Sequence, residues 1–282
     1  MPLSLFRPAL LAAAALTAAI PAFGFGIGLQ PTTVELPVEP GASNRQVINI
    51  ANVHTEKTIS LTLGLADWEL DESGQIRLSP PGESTVSAAG WARFSPAFLT
   101  LKPGESEQVI VDMATPTRLN RSGDFRFALL ASTVLPDERA DQSGVWKKYQ
   151  IATLFYLTVG PADSEPVIQG SDIVAPETED GPRMLQLEIE NTGNAHARLQ
   201  GEIEISHGLT TETLDVANLV VLHGARRDYV TPLPENVPDD ARIEVRLENI
   251  FTPQAGGEAI SLPAHRVQTA SKRAGLTSEV QP

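Results

Sequence analysis

WARFSPAFLTLKPGESEQVIVDM, from Trp91 to Met113, sets an apolar segment, a Pro-Gly dipeptide and a charged bend ahead of an alternating apolar run. Pro103 fixes one backbone angle and Gly104 tolerates the next, so the dipeptide marks a reversal. The alternation beyond it is that of a half-buried strand. The stretch reads as a β-hairpin. An earlier segment, VEPGASNRQVINIAN from Val38 to Asn52, has the same construction: Pro-Gly, a few small or polar residues, then a strand.

Working outward, TISLTLGL (Thr58 to Leu65) alternates Ile59, Leu61, Leu63 and Leu65 with small or polar residues, and DESG (Asp71 to Gly74) offers a turn before Gln75 to Leu78. SGDFRFALLASTV (Ser122 to Val134) and YQIATLFYLTV (Tyr149 to Val159) are the two strongest strands, separated by a polar loop containing LPDERADQSG. Hairpins spaced about every ten residues, with almost no helix signal, predict a sandwich or barrel. GPADSEP (Gly160 to Pro166) has the composition of a linker.

Beyond it the layout returns. MLQLEIENTGNAHARLQGEIEI (Met184 to Ile205) matches VINIANVHTEKTISLTLGL: strand, Asn, polar turn, strand. LVVLHGARRDYVTP (Leu219 to Pro232) repeats the opening stretch, with His223-Gly224 at the place of Pro103-Gly104. Two copies of one sandwich account for this. The expected fold is therefore all-β: a first immunoglobulin-like domain over 25–160, a linker over 161–166, a second over 167–262, and a loose tail over 263–282 contributing little to the core.

The 282 residues suffice for two cores, and 41% hydrophobic against 20% charged residues is a globular balance. A formal charge of −14 repels phosphate backbones and anionic lipid, which argues against a nucleic-acid partner. MPLSLFRPALLAAAALTAAIPAFGFG opens the chain with one charge, Arg7, a short apolar region from Ala9 to Ile20, the breaker Pro21, and small residues at Ala22 and Gly24. That is the pattern of a secretory signal over 1–24, cleaved after Gly24. Its dozen apolar residues fall short of the roughly 20 a membrane span needs, so no span remains after cleavage. An exported chain with no cysteine must rely on packing.

Catalysis needs convergent groups, and the sequence offers no recognisable set. His54, His196, His207, His223 and His265 are scattered and read as solvent-facing turn residues, with no zinc spacing. GFGIG (Gly24 to Gly28) lacks the context of a dinucleotide loop. Asp67, Asp71 and Glu72 lack a calcium-loop spacing, and Asn120-Arg121-Ser122 is a sequon of the kind that arises by chance. No cofactor, no metal and no enzymatic activity are expected.

LKPGESEQVIVDM, GDFRFALLASTVLP and Leu154-Phe155-Tyr156, with the signal, the linker and the second sandwich, resemble the PapD-like periplasmic chaperones of pilus assembly. The resemblance implies a periplasmic chaperone for pilin-like or other surface-fibre subunits, acting without ATP by lending a strand of its first domain or capping the client's edge, with an outer-membrane usher as a further partner. The family anchors its client's terminal carboxylate with two basic residues; those positions hold Thr33 and Thr153, so the chain resembles a divergent member without that anchor. The implied partner-binding edge contains Val145, Trp146, Tyr149, Ile151 and Thr153. Two registers are open: one presents Gly144, Trp146 and Lys148, the other Val145, Lys147, Tyr149 and Ile151, and a one-residue slip exchanges them. Lys147 and Lys148 could instead protect an edge. The alternative is a structural or adhesive immunoglobulin-like protein with no client to release; an edge already covered by its own chain would favour that alternative.

Overall fold

The structure, a computed structural model, describes residues 26–134, 148–175, 181–235, 237–252 and 258–267. The signal over 1–24, with its cleavage point, lies outside the described residues, as do Gly144, Val145, Trp146 and Lys147. The first ten strands are β1 (Ile27–Gln30), β2 (Thr33–Val38), β3 (Ser43–Asn52), β4 (Ile59–Leu70), β5 (Ile76–Ser79), β6 (Ala92–Ser95), β7 (Phe98–Leu101), β8 (Ser106–Ala114), β9 (Gly123–Val134) and β10 (Lys148–Val159). The rest are β11 (Pro166–Val174), β12 (Met184–Asn191), β13 (Ala197–His207), β14 (Thr210–Val221), β15 (Ala225–Pro232), β16 (Arg242–Asn249), β17 (Ile260–Ser261) and β18 (His265–Val267). One 3-10 turn, Ala89–Trp91, is the only helical element among the described residues.

The chain is all-β and forms two immunoglobulin-like sandwich domains. In the first, a sheet of order β1-β3-β8-β6 faces one of order β2-β10-β9-β4, with β5 and β7 both paired to β4. In the second, β11-β12-β15 faces β14-β13-β16, with β17 and β18 on β16. The alternation of each strand sets its inner face. Ile48 and Ile50 of β3 and Val109 and Val111 of β8 meet Phe127 and Leu129 of β9 and Phe155 and Leu157 of β10, all fully buried. Phe127 and Phe155 stack at 4.4 Å between centroids. Burying each such side chain stabilises the fold by roughly 1.5–3 kcal/mol, which a cysteine-free chain depends on. Leu185, Leu187, Leu199, Ile203, Ile243 and Val245 fill the second core in the same way.

Each sandwich is pinned by a buried asparagine at the end of a strand. Asn52 donates from Nδ2 to the carbonyls of Lys57 at 2.7 Å and Leu101 at 2.9 Å, and its Oδ1 accepts from His54 N at 3.0 Å. Asn191 donates to the carbonyls of Ala195 at 2.8 Å and Val221 at 3.1 Å, and its Oδ1 accepts from Gly193 N at 3.1 Å. The two backbone carbonyls also correspond: Gly104 N donates to Asn52 O at 2.9 Å and Gly224 N to Asn191 O at 2.8 Å. His223-Gly224 thus occupies the structural place of Pro103-Gly104.

The tail departs from expectation. His265–Val267 pairs with β16, and Val267 is buried in the second core. A three-residue strand carrying one inward apolar side chain shows no periodicity to read; residues 268–282 lie outside the described residues.

Replacing Asn52 or Asn191 by Ala leaves the backbone groups that its buried amide meets without that partner. At about 1–3 kcal/mol for each unmet buried group, urea unfolding should show a loss of roughly 2–4 kcal/mol for either variant. A change below about 0.5 kcal/mol, the range of ordinary surface substitutions, would refute the pinning role.

Candidate functional site

β10 pairs with β9 along all twelve of its residues, but with β2 only from Leu154 to Val159. On the far side of Lys148 to Thr153 no strand pairs, among the described residues. The cause is local. β1 belongs to the sheet of β3, and Pro31, without an N–H, interrupts its ladder. The chain then crosses to the opposite sheet, where β2 lies parallel to β10 with Val34 and Val38 in the core.

Leu154 N donates to Thr32 O at 2.9 Å, so even-numbered residues of β10 direct their main-chain groups toward the β2 side. By strand alternation Lys148, Gln150 and Ala152 direct theirs toward the open side, while Tyr149, Ile151 and Thr153 bond β9. The side chains divide by the same rule. Ile151 packs against the first core, and alternation places Tyr149 on that inner face, whereas Lys148 and Gln150 stand exposed on the outer one. Beside them a shallow cavity of about 570 Å³ is lined by Ser60, Thr62, Gly64, Leu130, Ser132 and Gln150, among others.

Of the expected edge residues, Tyr149 and Ile151 therefore share a face. Thr153 does not present its side chain: it is fully buried, and its hydroxyl donates to Pro31 O at 2.9 Å. It lies on the inner face beneath the crossover from β1 to β2, and its neighbours Ala152 and Leu154 are half-buried. Thr33 is exposed and is the register partner of Leu154, so the two anchor positions, 120 residues apart in sequence, meet where the open edge ends. A cleft of about 290 Å³ opens there, with Thr33, Leu154, Arg198, Asn218 and Arg227 in its wall. Its arginines are engaged: Arg198 with Glu35 and Asn218, Arg227 with Glu72 O at 2.9 Å.

The outer face of the same sheet carries the junction between the sandwiches. Trp68, Ala128 and Tyr156 pack against Leu222 of the second, with Trp68 edge-on to Tyr156 at 4.9 Å. Asp124, fully buried, accepts from both the backbone N and Nδ1 of His196 at 2.6 Å, and from Thr158 Oγ1 at 2.8 Å. His196 lies between Tyr156 and Phe251 at 4.4 and 3.9 Å, and its Nε2 is 3.6 Å from Glu35. Burial pushes the Asp124 carboxyl up, but the bonds from His196 and Thr158 outweigh it and hold it below the ordinary range. Burial pushes His196 down, but Asp124 and Glu35 more than reverse that and raise it.

The expected turn histidines need correction here. His196 is fully buried and His223 is half-buried in the same junction, because the turns that carry them dock on the first sandwich instead of facing water. His54 fits the turn reading: its Nδ1 accepts from Glu56 N at 3.1 Å. The acidic trio is structural. Asp67 accepts from Gly82 N, Ser84 N and Ser87, and Asp71 from Ser73 and Gln75 N; Glu72 lends its carbonyl to Asp228 N at 2.7 Å. No group of acidic or histidine side chains among the described residues could hold a metal.

No protein-family model and no curated protein matches the chain. Similar solved structures include the YadV chaperone, 11% identical, covering 86% of this chain and 100% of that one at a TM-score of 0.45. The class 5 fimbriae chaperone CfaA is 10% identical, with 86% and 99% covered and a TM-score of 0.44. The CupB2 chaperone of Pseudomonas aeruginosa is 12% identical, with 85% and 100% covered and a TM-score of 0.44.

The junction has a pH signature. Since the folded pKa of His196 lies above its ordinary 6.5, its contribution is complete below pH 6.5 and is lost as pH rises through the folded value. Asp124, lowered from 3.8, contributes above that value and loses its contribution as pH falls through the folded one. His196→Gln should therefore cost about 3–5 kcal/mol in urea unfolding near pH 6, the usual loss when a buried pair is broken. The gap to wild type should shrink above pH 6.5; a gap unchanged up to pH 9 would rule out the ion pair.

Proposed function

We propose that this chain is an extracytoplasmic chaperone for pilin-like or other fibre subunits, lending the open half of β10 to a client that lacks a strand. The observation that carries the reading is the half-covered β10. Six residues, Lys148 to Thr153, are held extended by β9 on one side, and on the other no strand adjoins them among the described residues. An incoming strand gains affinity from the main-chain groups of Lys148, Gln150 and Ala152 and specificity from the alternating side chains. Because Tyr149 and Ile151 share the inner face, they are the residues that would enter a client's open groove; this is the second of the two registers. Val145 and Trp146, expected with them as partner-binding residues, lie outside the described residues.

Nothing in such an exchange consumes ATP, because one strand pairing replaces another. The positions of the family's basic anchor hold Thr33 and Thr153, so affinity has to come from the ladder and the inner face. The proposed cycle places the mature chain, from Phe25 onward, in the periplasm, with handover of the subunit to an outer-membrane usher. Among the described residues no helix is long and apolar enough to cross a membrane.

Gln150→Pro tests the reading with little harm to the sandwich. Its main-chain N–H faces the open side, so proline removes a main-chain donor to the client and none from the β9 ladder, losing toward β9 only the exposed side-chain bond from Gln150 Nε2 to Ser132 Oγ at 3.0 Å, whereas Ile151→Pro would break the ladder. Tagged mature protein should capture a fibre subunit lacking a strand from its own envelope, identified by mass spectrometry, and Gln150→Pro should reduce capture at least tenfold with an unchanged melting temperature. Equal capture by the two proteins, or capture of no such subunit, would favour the structural or adhesive alternative.

A further inference from the structure

Arg126 stands on the outer face of β9, opposite Tyr156 of β10 and over the ring of Trp68 at 5.5 Å. Its backbone is fixed on both atoms: N donates to Val86 O and O accepts from Ala88 N, each at 2.8 Å. The side chain is therefore delivered into the domain junction, where the residue keeps 5% of its exposure. Its Nε and Nη1 are buried with no hydrogen-bond acceptor among the described residues. The Nε2 of His223 is likewise buried and unpartnered. His223 follows Leu222, which packs against Trp68 and Tyr156, so the two sandwiches bring unpaired donors to one locality.

Charge selects what belongs there. Asp124, two residues along the strand, already accepts three bonds from His196 and Thr158, and the imidazolium matches its charge. At the rim Glu35 and Arg198 pair with each other. Glu69, whose charge also reaches Arg126, is exposed. Arg126 is the cation left over. A guanidinium out of water costs more than one ring face returns, and a water molecule can meet its N–H groups without neutralising it.

We propose that the domain junction binds a small inorganic anion, a halide or compact oxyanion, held by Arg126 of the first sandwich and His223 of the second. The low exposure of Arg126 limits the occupant to a few atoms. The imidazole is suited to the role. Burial, with the nearby charges of Arg126 and Arg121, pushes His223 down to about 4, so the ring is neutral at physiological pH, and in its Nε2–H tautomer the buried, unpartnered Nε2 would donate to the anion. Attraction by the protein as a whole cannot supply the anion, since the formal charge is −14. The binding has to be local, and it ties the two domains together by contacts from both.

The full mature protein is melted at constant ionic strength while chloride replaces gluconate, which is too bulky to enter. The melting temperature should rise along a saturating curve, by a few degrees at the plateau, and Arg126→Met should abolish the saturating part. A bromide-soaked crystal should show an anomalous peak beside Arg126 and His223, and this decides the matter if the variant fails to fold. Repeating the titration with phosphate separates halide from oxyanion: a saturating response to either supports the site. Absence of any saturating response together with no bromide peak, or a full response in Arg126→Met, overturns it.

Discussion

The burial of the Asp124 carboxylate is the constraint around which the junction is arranged. A fully buried anion must be both neutralised and hydrogen-bonded, and a single residue of the second sandwich, His196, does both through its backbone N and its ring. That places the turn Thr192–His196 flat against the start of β9. The approach is so close that a Cβ on Gly123 would overlap the Asn194 carbonyl, and one on Gly193 would overlap the carbonyl of Asp163. Asp124 N itself donates to Asn194 O at 2.9 Å. The docked turn thus requires a histidine at 196 for the buried charge, glycine at 123 where β9 meets the turn, and glycine at 193 where the turn meets Asp163–Glu165.

The comparison of the two asparagine turns shows how one piece of architecture has been put to two uses. After Asn52 the turn runs through His54 and Lys57 to β4, with its exposed polar side chains in water. After Asn191 the equivalent turn is tipped with Gly193, Asn194 and His196 and becomes the docking surface. The pin is alike in both, reaching the fifth residue on in the first turn and the fourth in the second, and the two turns differ further in the side chains they display.

The architecture was legible where it follows from local rules. Alternation in Arg45 to Ala51, Thr58 to Leu65 and Met184 to Ile205 suffices for strands and for the repeat, but the hairpin expected across Pro103-Gly104 does not form: β7 pairs with β4 and β8 with β3 and β6, so the Pro-Gly reversal is a corner between the two sheets. The alternation of Ile243, Val245 and Leu247 in β16 was an equally clear signal that could have found that strand. What a strand pairs with is not a local property. Nothing around Pro31 states that β1 and β2 serve opposite sheets, and Asp124 and His196 are 72 residues apart. A histidine beside alanine in a polar turn reads as solvated until its partner is in view. Thr153 was found by position in a resemblance, but its burial follows from the crossover above it. Thr33 and Thr153, by contrast, are brought near each other by the parallel pairing of β2 with β10, in which Thr33 is the register partner of Leu154.

The crossover of the first strands has one more consequence, for size. β2 begins its pairing at Leu154 and continues to the end of β10, so an added strand meets a wall at Thr153. At about 3.3 Å per residue, the open run from Lys148 to Thr153 measures roughly 20 Å, and growth is blocked at the junction end. In the proposed exchange β2 would therefore act as a gauge, setting where a guest strand must stop, and because its Glu35 also lies against His196, that stop is continuous with the junction between the two domains.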